Sequence, residues 1–244
     1  MLNSGNLAEL AVDSHSNSNI LFIGFDMDRE AGKDILFVEG LSKKLGDNYL
    51  FKNVSFHVGR NDKIAFIGNE LAITHLFKVL MEEEEADEGS FKFGVSITTS
   101  YFPHDNSAYF DGHKESILDW MRQYSKDQTE TYLRGFLGKM LFSNDAVFKP
   151  VNVLSGGEKV RCMFSRMMMF TSNMLIIDQP TDHLDLESIT ALNDGLSGYK
   201  GCMLLTSHDQ ELMNTVCNRI IEINNTKVYD RQVTYDEYVD EISQ

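Results

Sequence analysis

The chain has 244 residues, 42% of them apolar, and a formal net charge of −15, so it can fill a sizeable core in one large domain or two small ones. That acidic balance argues against direct nucleic-acid binding, because non-specific affinity comes from Lys and Arg displacing counterions around phosphates. No apolar run approaches the roughly 20 residues that cross a bilayer, and residues 1–10 have no basic stretch leading into a hydrophobic one, so a cytoplasmic chain without membrane insertion is expected.

Residues 1–19 are rich in Ser, Asn and Asp, lack a hydrophobic period and read as a tail or linker remnant. From Ile35 to Val58 short alternating segments broken by Gly40 and by Gly46-Asp47-Asn48 predict an antiparallel β-layer. Lys63-Ile64-Ala65-Phe66-Ile67 reads as a buried strand running into Gly68, and residues 71–80 as the helix that follows it. The run Glu82-Glu83-Glu84-Glu85 with Asp87 and Glu88 reads as a solvated, self-repelling loop. Residues 96–102 read as a strand stopped by Pro103. Residues 114–142 change to helical spacing, the mark of an inserted helical lobe over about 105–170.

A helix from Val160 to Phe170 carries Met163, Met167, Met168 and Met169, which read as flexible core filling. Strands at 174–177 and 202–206, a helix at 186–196 and a hairpin of 219–223 with 227–229 follow, the hairpin split by Asn224-Asn225. Cys162, Cys202 and Cys217 have no metal-ligand spacing and read as buried thiols. The alternation of strands and helices predicts an α/β fold with a mostly parallel, doubly wound sheet, an N-terminal antiparallel layer and the helical lobe.

Two segments carry the chemistry. In Leu154-Ser155-Gly156-Gly157-Glu158 a serine and two glycines stand where a helix begins, so its free N–H groups and positive dipole end face an anion. In Met174-Leu175-Ile176-Ile177-Asp178 a short apolar run ends in a carboxylate, the form of a central strand that delivers Asp178 to a magnesium ion. In order and one helix apart, they resemble the signature and Walker B segments of an ATP-binding cassette (ABC) domain. Pro180-Thr181-Asp182-His183-Leu184-Asp185 is similar to the D-loop of the second cassette of soluble ABC-F proteins, and the resemblance covers residues 20–244.

The resemblance implies a P-loop NTPase-type fold, ATP with Mg2+ as cofactors, a second cassette as partner and, through that partner, the ribosome and translation regulation. It places Gly68, Asn69, Ala72, Ile73, Thr74 and His75 in the phosphate loop, with Thr74 beside Asp178 on the metal. His104 takes the Q-loop position, Gln179 that of the catalytic base and His208 that of the switch histidine. Ser155, Gly156, Gly157 and Glu158 are the signature, and Asp185 the D-loop contact to the opposite half-site.

Several positions depart from the family. A phosphate loop GxxxxGK[ST] needs a lysine that Gly68-Asn69-Glu70-Leu71-Ala72-Ile73-Thr74-His75 lacks in either alignment, and Glu70 adds an anion there. Gln179 cannot accept a proton, which typically costs about 10²–10⁴ in rate. Leu45 stands where an aromatic ring normally meets adenine, unless Tyr49 substitutes. The expectation is a half-site weak or inactive alone that completes a partner's site, with Gln179→Glu and Ile73→Lys both needed to restore it. A transporter motor and a decayed, non-enzymatic scaffold are the alternatives.

Overall fold

A computed structural model describes residues 20–143, 145–224 and 227–243. The tail read at 1–19 and Asn225 of the hairpin turn lie outside these described residues. The chain divides into two units, one of residues 25–105, 171–182 and 196–243, the other of residues 20–24, 106–170 and 183–195.

In the first unit, β1 (Asp34–Leu45) pairs antiparallel with β2 (Asn48–Gly59) and with β4 (Glu88–Phe93), giving a three-stranded layer. Strand β4 was not anticipated, because its burial pattern is almost wholly exposed and its apolar residues are few. Beside this layer a six-stranded sheet joins β5 (Thr99–Phe102), β6 (Met174–Asp178), β7 (Cys202–Thr206), β3 (Lys63–Gly68), β8 (Arg219–Asn224) and β9 (Lys227–Arg231), in that order. Its pairs are parallel except for the β8–β9 hairpin. Every residue of β6 and β7 is buried, as expected of central strands covered on both faces.

Helix α1 (Glu70–Leu80) packs Ala72, Ile73, Leu76, Phe77, Val79 and Leu80 into the core. Phe66 of β3 meets Phe56 of β2 at 5.5 Å and Phe77 of α1 at 5.4 Å, both edge to face, and each such side chain contributes on the order of 1.5–3 kcal/mol on burial. Gly68 ends β3 at φ 108, and a Cβ there would stand 2.4 Å from the Ile223 carbonyl oxygen of the neighbouring strand. No other residue fits this position. Two short helices, α6 (Gln210–Val216) and α7 (Tyr235–Ile242), were not expected; each starts at a capping side chain, Asp209 or Thr234, a local signal too short to show as periodicity.

One member of the acidic run, Glu84, differs from its expectation. Glu84 is only 24% exposed in its side chain and sits 2.7 Å from His75 Nδ1, 3.6 Å from Lys78 Nζ and 3.8 Å from Lys43 Nζ. Burial opposes its ionisation, but the hydrogen bond and charge of His75 and the two lysines outweigh that and hold its carboxyl below the usual range. Glu84 thus ties α1 to β1, while Glu82, Glu83, Glu85, Asp87 and Glu88 stay exposed as the sequence predicts.

The second unit contains α2 (Ile117–Arg122), α3 (Glu130–Lys139) and α4 (Gly156–Phe170). Trp120 stacks on Phe110 at 5.2 Å and donates its indole N–H to the Tyr109 carbonyl. Arg166 lies over the rings of Tyr109, Tyr124 and Phe170 at 4.7, 5.2 and 4.7 Å. Met163, Met167, Met168 and Met169 are buried, and the Gly24 N–H points to Met168 Sδ. Helix α5 (Leu186–Gly198) begins in this unit. Cys162, Cys202 and Cys217 are free and buried.

Candidate functional site

The first unit brings together Gly68, Asn69, Thr74, Asp178, Gln179, His104 and His208 at the carboxyl ends of its parallel strands, where ligands of such sheets bind. Asp178 closes β6 with 1% exposure, and Thr74 donates its hydroxyl to Asp178 Oδ2 at 2.7 Å. Burial pushes the Asp178 carboxyl above the usual range, against the hydrogen bond from Thr74 and the nearby charges of His104 and Lys78; Glu70 pushes in the same direction as burial. Gln179 follows in a left-handed conformation, φ 52. Its N–H donates to the Thr206 carbonyl and its side-chain amide to Thr206 Oγ1, while its Oε1 is buried with no hydrogen-bond partner among the described residues.

These residues meet two parts of a nucleotide site unequally. The Thr74 hydroxyl and the Asp178 carboxylate are adjacent hard oxygens, the donor chemistry of magnesium, so they fit a bound Mg2+. The phosphate cradle does not fit. Helix α1 starts at Glu70, two residues after the strand ends, leaving no loop to wrap a triphosphate. The Asn69 N–H goes to the Ile223 carbonyl, the Ala72 N–H to Asn69 Oδ1 and the Ile73 N–H to the Asn69 carbonyl, so these donors are spent within the chain.

Ala72 and Ile73 themselves lie in the core at 0% and 1% exposure. Lysine at 73, which the sequence reading takes as restoring, would place an ammonium in hydrocarbon. His75 bonds to Glu84 rather than facing the site. His208 lies 3.4 Å from Glu70, both side chains exposed. Leu45 is exposed at the end of β1. Tyr49 has Lys44 and Lys52 over its ring at 4.7 and 4.8 Å and donates its hydroxyl to Glu88.

The second unit holds the other predicted residues. Ser155 Oγ accepts the Glu158 N–H at 3.3 Å and Glu158 Oε2 accepts the Ser155 N–H at 2.9 Å, a reciprocal cap on α4 that the spacing Ser-x-x-Glu encodes. Lys149 Nζ reaches Glu158 Oε1 at 2.8 Å. Burial opposes the ionisation of Glu158, yet Lys149 and the Ser155 hydrogen bonds hold its carboxyl below the usual range. Gly156 and Gly157 form the first turn, against His183. Asp185 Oδ1 accepts the Ser188 N–H at 2.8 Å and caps the start of α5. Sequence reasoning missed the contact of His183 with the two glycines, which no local spacing signals, and the Glu84 cluster, whose lysine and histidine partners are distant or turned by the helix.

Among the described residues no helix is long and apolar enough to cross a membrane, and no cluster of three or more His, Cys, Asp or Glu could hold a metal on its own. The family model described as "ABC transporter" matches residues 51–182. The chain is 55% identical over 221 residues to the ABC transporter ATP-binding protein YkpA of Bacillus subtilis, covering 90% of this chain and 41% of that protein. It is 29% identical over 212 residues to ABC transporter F family member 5 of Arabidopsis thaliana, covering 86% of this chain and 30% of that one. The chain thus spans less than half the length of these relatives. The solved structure of cbiO1 from Clostridium perfringens, part of the ABC transporter complex cbiONQ, shares the fold with a TM-score of 0.63 at 18% identity, over 86% of this chain and 92% of that one. The parallel α/β sheet and the family match over more than half the chain agree, and the chain belongs to the ABC family as an ATP-binding cassette domain.

Proposed function

We propose that this chain is an ABC-F-type cassette that no longer grips ATP at its own Walker face and instead supplies its signature helix to a partner cassette's nucleotide. Nucleotide binding with Mg2+ is the general property of the family; the division of labour is specific to this chain. The observation that carries it is the start of α1 at Glu70, which removes the phosphate loop and spends its N–H groups internally, while the Ser155–Glu158 cap keeps the start of α4 ordered. With no ammonium in the loop and Glu70 beside it, a triphosphate would meet an anion in place of a cation. With Gln179 at the base position, water activation is lost as well.

ABC-F membership is supported by the D-loop residues 180–185 and by relatives whose names include "ABC transporter F family". It extends the proposal to ribosome-linked translation regulation, reached through the partner. The assignment of residues 20–244 to one cassette with a helical lobe is part of the same reading.

Two measurements test it. Calorimetric titration of the isolated chain with Mg-ATP is expected to give no tight binding, and a submicromolar constant would overturn the proposal. Mixing the chain with the portion of the 55%-identical relative outside the matched 221 residues is expected to raise ATP turnover. Ser155→Ala is expected to remove most of that gain. A chain with no effect on the rate would refute signature donation.

A further inference from the structure

The glycines that open α4 are usually taken as openings for a phosphate, yet here they face a residue of the same chain. A Cβ built on Gly156 would stand 3.1 Å from both Cβ and Cγ of His183 and 3.5 Å from its Cδ2; one on Gly157 would stand 3.2 Å from the His183 carbonyl oxygen. The separations of 3.1 and 3.2 Å are tighter than nine in ten real Cβ contacts, so either methyl would press on the histidine. His183 meets both glycines, with its side chain on one and its backbone on the other.

His183 is itself constrained. It holds φ 69, a left-handed conformation that few L residues adopt and that histidine tolerates better than most. Such conformations persist where the surroundings over-determine them, and they gather at functional sites. Two residues later Asp185 receives the Ser188 N–H on its side chain and the Ile189 N–H on its carbonyl, so the loop is fixed where it enters α5. On the facing side the Ser155–Glu158 box fixes the first turn of α4. The histidine is therefore held against a helix start that is itself held.

We infer that His183 is a positioning residue for the signature helix: it sets where the first turn of α4 presents the N–H groups of Gly156 and Gly157, which lie between the two capped by Ser155 and Glu158, and both glycines are required for this internal seat. The inference rests on the donor reading above. The residue makes no contact with a nucleotide; it acts through the turn it supports.

The test is a double-variant cycle with Gly156→Ala, His183→Gly and the pair, read as ATP turnover of the mixed complex and as thermal unfolding of the chain alone. Gly156→Ala is expected to lower turnover about tenfold. His183→Gly removes the atoms that the new methyl meets and takes the left-handed backbone freely, so the pair is expected to return to within about threefold of His183→Gly alone. His183→Asn, which tolerates the same backbone, is expected to lower kcat several-fold with the unfolding midpoint and the KM for ATP unchanged, a split that a purely structural role would not give.

A pair no better than Gly156→Ala in both readouts overturns the inference, because the methyl would then be meeting something other than His183. If Ser155→Ala leaves the mixed rate unaltered, the donor reading fails and the functional half of the inference falls with it. The unfolding cycle then still decides whether His183 seats the helix.

Discussion

Replacing Asp178 by Asn is expected to stabilise the isolated chain at neutral pH. Asp178 is 1% exposed, its hydrogen bond comes from a neutral hydroxyl, and burial dominates the upward displacement of its carboxyl. Ionising it therefore costs free energy that no adjacent cation fully offsets. An amide of the same shape keeps an oxygen to accept the Thr74 hydroxyl and removes that cost. The folded chain therefore gains stability from the change, and its Tm is expected to rise.

The sign fixes the pH dependence. Because the folded-state pKa is raised, the native carboxyl contributes fully below its unfolded value of about 3.9 and loses that contribution as pH rises through the folded value. The advantage of Asn is thus small near the unfolded value, grows as pH rises and levels off above the folded value. Thermal unfolding followed by circular dichroism, in chelator and across that range, measures it. Adding about 10 mM Mg2+ without nucleotide is expected to stabilise the native chain by less than about 0.4 kcal/mol, the value for a dissociation constant equal to the metal concentration. A variant less stable than the native chain at about pH 7.5 would refute the reasoning, since the carboxylate would then be held as an anion by a charge partner.

Three other substitutions separate packing from chemistry. Gly68→Ala is expected to cost about 2–4 kcal/mol, because the methyl meets the Ile223 carbonyl and the backbone is left-handed; an unfolding midpoint within a degree of native would contradict this. Glu84→Gln is expected to destabilise by less than about 1 kcal/mol above its ordinary pKa, with the loss shrinking as pH falls and the native carboxyl protonates. An equal loss at low and neutral pH would remove the ionic account. Gln179→Glu alone is expected to restore no ATP hydrolysis by the isolated chain, and adding Ile73→Lys is expected to lower its stability by several kcal/mol rather than rescue it, because Ile73 is 1% exposed. A phosphate-release assay beside an unfolding curve checks both.

Much of this was legible in order along the chain. The apolar run 174–177 ending in Asp178, the Ser-x-x-Glu cap of the signature helix and the missing lysine after Gly68 are local patterns, and spacing alone carries them. Local pattern also set the fold class, since fully buried strands alternating with helices admit few arrangements other than a parallel sheet.

What depended on tertiary structure was the use of shared atoms. The sequence presents Gly68-Asn69-Glu70 as the start of a loop, but only the position of β8 shows that Ile223 occupies the space above Gly68 and takes the Asn69 N–H. Strand β4 and the Glu84 cluster escaped because their partners, β1 and Lys43, lie roughly forty to sixty residues back along the chain. The seat of His183 on Gly156 and Gly157 escaped for the same physical reason: excluded volume acts between residues that are neighbours in space, and a glycine written in a sequence does not say which neighbour it makes room for.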